Sequence, residues 1–202
     1  MRVECASNLK QCHLILQYYA YDYRDHLPPA SDRQDVVGSA FYVPGNGYDL
    51  RNYIGPYIGD YRIWRCPALS EATPLDDPGN TRHVNYSTYA YWPGRSYPDF
   101  GTTQAVPTWT MGVDTTSQRV VMQDLYDESA AKPGWERFNH GNGEAVAAPT
   151  NPSFRLLRDD EPGEGANLSF FDGHVKWFSR PNLVPVGLSL KGLSLTTYSV
   201  MP

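Results

Sequence analysis

The chain has 202 residues, of which 19% are charged and 41% hydrophobic, with a formal charge of -5 at pH 7. This suits one domain with a buried core and argues against a disordered chain. The acidic balance, a pI near 5.5 and the lack of any Lys/Arg cluster argue against a nucleic-acid partner. No apolar run approaches the roughly 18 residues of a membrane span.

Positions 2–24 read as an amphipathic helix. Cys5, Leu9, Cys12, Leu16, Tyr19 and Tyr23 recur at spacings of 4, 3, 4, 3 and 4, one stripe of a 3.6-residue period. Leu27-Pro28-Pro29 stops it, because a residue before proline is pushed out of the α region. The chain opens directly on this pattern with no signal peptide, an abrupt start that leads us to expect a further segment upstream.

Beyond the helix, 15 Tyr, 17 Gly and 17 Pro predict a turn-rich, mostly β remainder. A short strand is expected at 40–43, a short helix or turn over 48–58, and an extended segment over Tyr61–Cys66. Positions 71–80 read as a loop, 85–92, 108–113 and 119–123 as strands, and 127–134 as another loop. Positions 144–163 read as an Ala/Pro-rich then acidic insertion, and the tail after Pro181 as a last edge strand. Tyr18-Tyr19 and the aromatic run Tyr86 to Trp92 are expected in core and sheet packing, an aromatic platform for glycans being the alternative. The Gly-rich pieces Pro44-Gly45-Asn46-Gly47 and Gly141-Asn142-Gly143 are turns, since neither leads into a helix with a Lys-Ser/Thr pair.

The most informative stretch is Gly165 to Phe178. Asp172-Gly173 between two alternating runs signals a two-residue type I′ hairpin. That turn pairs Phe170 with Val175 and Leu168 with Trp177. Ala166, Leu168, Phe170, Val175 and Trp177 then form an apolar face for the N-terminal helix, and Asn167, Ser169, Phe171, His174, Lys176 and Phe178 a wetter one. The fold expected is α+β, a long N-terminal helix on an antiparallel sheet.

Three blocks resemble bacterial prepilin-type proteins of the H-X9-DG class. Cys5-Ala6-Ser7-Asn8-Leu9-Lys10-Gln11, ending in Leu27-Pro28-Pro29, is similar to their junction helix. Pro56-Tyr57-Ile58-Gly59-Asp60 with Trp64-Arg65-Cys66-Pro67-Ala68 is similar to their central motif. Gly165-Ala166-Asn167 with Phe171-Asp172-Gly173-His174-Val175 matches their signature hairpin. Phe138-Asn139-His140-Gly141 fits the histidine block, but His140 lies 32 positions before Asp172, well beyond the nine intervening residues of the family name. The stretch 144–163 therefore looks like an insertion between the histidine and the hairpin.

The resemblance implies a loop-rich, pilin-like pseudopilin head forming one domain over 1–202. Positions 1–27 are the soluble half of a long helix, and 28–202 the β-rich head. It implies a non-enzymatic subunit of a pilus-like or type II secretion assembly in the bacterial cell envelope. Its partners are other pilin or pseudopilin subunits and secretion components, with an inner-membrane anchor on an upstream helix. His140, Asn167, Asp172, Gly173 and His174 are its motif residues. The rivals are a secreted glycan-binding β module using exposed Tyr and Trp, and a metal-dependent hydrolase built on the histidines.

The cysteines and acids offer little chemistry alone. Cys5 and Cys12 share a helix face but lie roughly 10 Å apart along the axis, too far to bond each other. Cys66 can pair with either; Cys5–Cys66 is preferred, and three buried thiols are the alternative. The histidines show no HxH or HExxH spacing, so no metal is expected, with His140, Asp172 and His174 as the fallback set. Asp159-Asp160-Glu161 offers calcium hard oxygen ligands, and some pseudopilins bind calcium near the C-terminus. Without EF-hand spacing a solvated acidic loop is the default, and no cofactor is expected.

Overall fold

The computed structural model describes residues 2–28, 50–67, 89–91, 120–124, 126–129, 137–138, 140, 145–148, 151–157, 164–185 and 195–200. Over 126–129, 137–138, 145–148, 151–157 and 195–199 it describes the backbone alone. The expected strands at 40–43 and 108–113, the loop at 71–80 and the acidic run Asp159-Asp160-Glu161 lie outside the described residues.

The architecture is α+β. Helix α1 (Arg2–Asp22) buries Cys5, Leu9, Cys12, His13, Ile15, Leu16, Tyr19 and Ala20, the predicted stripe widened on both sides. Tyr23 is not part of it. The helix ends before the prolines, where Arg24 and Asp25 take φ of 55° and 64° and the Asp25 N–H donates to the Ala20 carbonyl at 2.8 Å. This is a Schellman-type closure without the usual glycine. Tyr23 is left exposed, stacked on Tyr19 at 4.2 Å between ring centroids.

A short helix α2 (Arg51–Ile54) and a 3-10 turn at Gly55–Tyr57 follow. Tyr61–Trp64, expected to be extended, is also a 3-10 turn. The Asp60 carboxylate accepts the Arg62 N–H at 2.9 Å, and such a local cap competes with strand pairing.

The sheet under α1 has the order β1-β2-β7-β8, with β1 at Tyr89–Tyr91, β2 at Val120–Asp124, β7 at Gly165–Phe170 and β8 at Val175–Ser179. All its pairings are antiparallel. A second sheet has the order β4-β3-β10-β9, with β3 at Tyr126–Ser129, β4 at Arg137–Phe138, β9 at Val184–Pro185 and β10 at Leu195–Ser199. Residues 127–129, expected in a loop, are therefore strand. The C-terminal tail supplies an interior strand, β10, and β9 takes the edge. The expected insertion contains a two-stranded hairpin of β5 (Ala145–Ala148) and β6 (Asn151–Leu157).

The β7–β8 hairpin exists, in a register one residue from the expected one. Asn167 pairs with Trp177, Leu168 with Lys176 and Ser169 with Val175. The loop is Phe171-Asp172-Gly173. The Gly173 N–H donates to the Phe170 carbonyl and the Phe170 N–H to the His174 carbonyl, both at 2.9 Å. Gly173 has φ of 87°, whereas Asp172 is not among the positive-φ residues. A type I′ turn needs both, so the connection is the three-residue kind that closes on a left-handed glycine. A one-residue slip turns every β8 side chain over. Trp177 and Val175 thus share a face with Asn167 and Ser169, and α1 lies on that face: the Asn167 amide donates to the Arg2 carbonyl and His13 meets Ser169. On β7 the helix covers the side expected to be wet, and on β8 the side expected to be apolar. The Ala166, Leu168 and Phe170 face is buried as well.

Candidate functional site

Between α1 and the sheet lies a cluster of polar groups that a core admits only when they are satisfied. Asp124, at the end of β2, is fully buried. Its Oδ2 accepts the Asn167 backbone N–H at 2.7 Å and the Asn167 Nδ2–H at 2.9 Å. The same oxygen lies 3.1 Å from His140 Nε2, so an imidazole protonated there supplies a third donor. Cys66 Sγ is 3.6 Å from that nitrogen and is bonded to Cys5 in a disulfide, with Cα atoms 5.0 Å apart. Cys12 is the buried free thiol, and burial raises its pKa well above the ordinary value.

Local structure explains how His140 arrives there. It follows β4, and its carbonyl accepts the Glu164 N–H at 2.9 Å, while the Glu164 carbonyl accepts the Arg180 N–H at 2.9 Å. The two ends of the insertion are thus closed on each other at the root of the hairpin. His140 stands beside Asn167 although the sequence separates them widely. Trp177 packs edge-on against the His140 ring at 5.3 Å, and the Arg2 guanidinium covers Trp177 at 4.5 Å. Arg2 also pairs with Glu164. The glycine at the root of the hairpin has a steric reason. Gly165 has φ of 150°, and a Cβ there would stand 2.1 Å from the Phe178 carbonyl oxygen.

Asp172, Gly173 and His174 sit at the other end of β7, in the turn. Asp172 Oδ1 accepts the His174 N–H at 3.0 Å and also meets its Nδ1. Partial desolvation pushes the Asp172 carboxyl up, but the hydrogen bonds from His174 carry it below the usual carboxylate range. Phe170 stacks on His174 at 4.2 Å. Beneath the turn, His13 of α1 faces Gly173, whose added Cβ would meet the ring at 3.4 Å. Burial lowers the His13 pKa below the ordinary imidazole value, and the nearby Asp172 charge works against that shift.

The fallback metal set of His140, Asp172 and His174 is therefore not assembled. His140 is buried at the hairpin root, while Asp172 and His174 are exposed at its tip, with Asn167 to Phe170 alone spanning roughly 10 Å of strand. Among the described residues, the group that does converge is Cys5, Cys66, Asp124 and His140, whose donor atoms all lie within 4.8 Å of one another. Asp124, His13 and Ser169 had not been singled out in the sequence. A signal for Asp124 existed, since an acid closing the apolar run Val120-Val121-Met122 must find buried donors.

This arrangement is not that of a nucleophilic triad. A relaying histidine uses one ring nitrogen for the carboxylate and the other for the nucleophile. Here a single nitrogen, Nε2, faces both Asp124 and Cys66, and the sulfur is already bonded. Among the described residues, no helix is long and apolar enough to cross a membrane. Comparison with known proteins found no matching family model, no matching curated protein and no matching solved structure.

Proposed function

We infer that the chain is the head of a pilin-like structural subunit, working by assembly in a bacterial envelope filament or type II secretion pseudopilus. One observation carries this reading: α1 is apolar on two opposite faces. Its inner face is laid on the sheet. On its outer face Val3, Leu14, Tyr18 and Tyr21 are 82%, 50%, 63% and 86% exposed. At 100° per residue these four fall within an arc of about 60°, a second stripe suited to packing on the helices of neighbouring subunits. The Cys5–Cys66 disulfide, which fastens the start of α1 to the head, also suits an oxidising envelope.

The glycan-binding rival would draw on the same Tyr18 and Tyr21. It loses part of its expected platform, because Tyr89 and Tyr91 are buried and the Tyr91 hydroxyl donates to the Pro28 carbonyl at 2.7 Å. Trp92 lies outside the described residues.

The test is cross-linking in the native host, with cysteines placed at Leu14 and Tyr21 of the full-length protein. The assembly reading expects a ladder of multimers. It also expects DNA encoding a basic leader and about 20 apolar residues upstream of Met1. A monomer together with an ordinary cleavable signal peptide would overturn it.

A further inference from the structure

The geometry points to a closed tetrahedral zinc site that forms when the Cys5–Cys66 disulfide is reduced, with Cys5, Cys66, His140 and Asp124 as its four ligands. Two thiolates, an imidazole and a carboxylate are donors zinc accepts, at bond lengths of roughly 2.0–2.3 Å. A tetrahedron with such bonds separates its donors by about 3.2–3.8 Å. His140 Nε2 to Cys66 Sγ, at 3.6 Å, already has such a separation, and His140 Nε2 to Asp124 Oδ2, at 3.1 Å, falls just short of it. The remaining donor pairs all lie within 4.8 Å, and once the sulfur–sulfur bond is broken the two sulfurs have to part, by side-chain rotation, to a similar distance.

The surroundings have the form of an outer shell. Asn167 holds the Asp124 carboxylate with two N–H bonds, the kind of support that orients a ligand. Trp177 packs against the His140 ring, and the donors are buried. All four positions would be filled by protein, so the site would be structural and leave no open place for a substrate.

The chemistry balances with a dithiol as reductant. The dithiol gives two electrons and two protons to the Cys5–Cys66 bond and becomes a disulfide itself. Zinc then replaces the two thiol protons, which go to solvent, as two zinc–sulfur bonds form. Oxidation reverses the exchange and expels the metal. The disulfide and the zinc centre are alternative cross-links between the same two points of the fold.

The test uses the full chain, oxidised or reduced with a phosphine, and titrated with zinc or with cobalt(II) as its coloured substitute. The reduced protein should bind one metal per chain, with a thiolate-to-cobalt charge-transfer band and the intense visible bands of a tetrahedral centre. The oxidised protein should bind none. Cys12→Ser should leave binding unchanged, and Asn167→Ala should weaken it by about 10–100-fold. Equal binding by the oxidised chain, loss of binding in Cys12→Ser, or a weak octahedral cobalt spectrum in the reduced wild type would each overturn the site. Should Asn167→Ala fail to fold, the wild type and Cys12→Ser decide the matter.

Discussion

Replacing Asp124 with alanine should be among the most damaging single changes in the core. The carboxylate oxygen collects the Asn167 N–H, the Asn167 Nδ2–H and the His140 ring nitrogen at 2.7, 2.9 and 3.1 Å. Removing it strands buried donors, each costing about 1–3 kcal/mol. Two of the three have some relief: the Asn167 side chain also reaches the Arg2 carbonyl at 3.4 Å, and His140 can move its proton to the other nitrogen. The Asn167 backbone N–H has no such freedom in β7. The sum is about 3–5 kcal/mol, a large part of the roughly 5–15 kcal/mol that keeps a typical domain folded. Urea unfolding of the oxidised protein reads this as a lower midpoint at unchanged slope. A double-mutant cycle with Asn167→Ala should return a coupling of about 1 kcal/mol or more. A cooperative Asp124→Ala variant losing less than about 1 kcal/mol would refute the view that these donors depend on this acceptor.

Gly165→Ala should cost about 3 kcal/mol or more, because its Cβ would overlap the Phe178 carbonyl. Gly173→Ala should cost about 1–2 kcal/mol, for its left-handed backbone; thermal melts showing the reverse order would contradict the hairpin geometry. The His13 pKa is lowered from 6.5, so below that value the unfolded chain binds more protons than the folded one and stability falls on acidification. Asp172, lowered from 3.8, adds a second decline as pH falls through its folded pKa. His13→Gln should flatten the first decline and leave the second, as followed by urea midpoints against pH. Tyr57 donates its hydroxyl to Asp22 at 2.7 Å, and that bond pushes its pKa up to about 12. Stability it contributes is therefore full below the ordinary tyrosine value of 10 and lost as pH rises toward 12. Ultraviolet titration should show one fewer late phenol in Asp22→Asn than in the wild type, while Tyr89, whose pKa burial raises well above the ordinary value, stays late in both.

What could be read in advance followed the range of the interactions involved. The inner stripe of α1 was legible because Cys5, Leu9, Cys12, Leu16 and Tyr19 repeat within a single element. Its end was not, because Arg24 and Asp25 take the left-handed conformation that glycine usually announces. Asp172-Gly173 announced the hairpin, but two- and three-residue loops can both place a glycine there. The choice turns on the Asp172 backbone and on what α1 covers. Tyr61–Trp64, rich in aromatic and β-branched residues, reads as extended, and the Asp60 cap shows that it coils. His140 and Asn167 stood out only through the resemblance to the H-X9-DG class. Asp124 stayed hidden because it acts on a residue 43 positions away.

The Cys5–Cys66 bond has a mechanical consequence. A pull entering at the start of α1 meets the cross-link at Cys5 and passes through Cys66 into the head, ahead of the 3-10 turn and the sheet. The load bypasses the rest of the helix. The helix therefore cannot be peeled from the sheet turn by turn from that end, and the contacts of Leu9, His13 and Leu16 are shielded from tension. With the bond reduced and no metal in its place, the same pull would act on those contacts one after another. A single redox event at one point would thus decide whether the head bears force as a rivet or as a zipper.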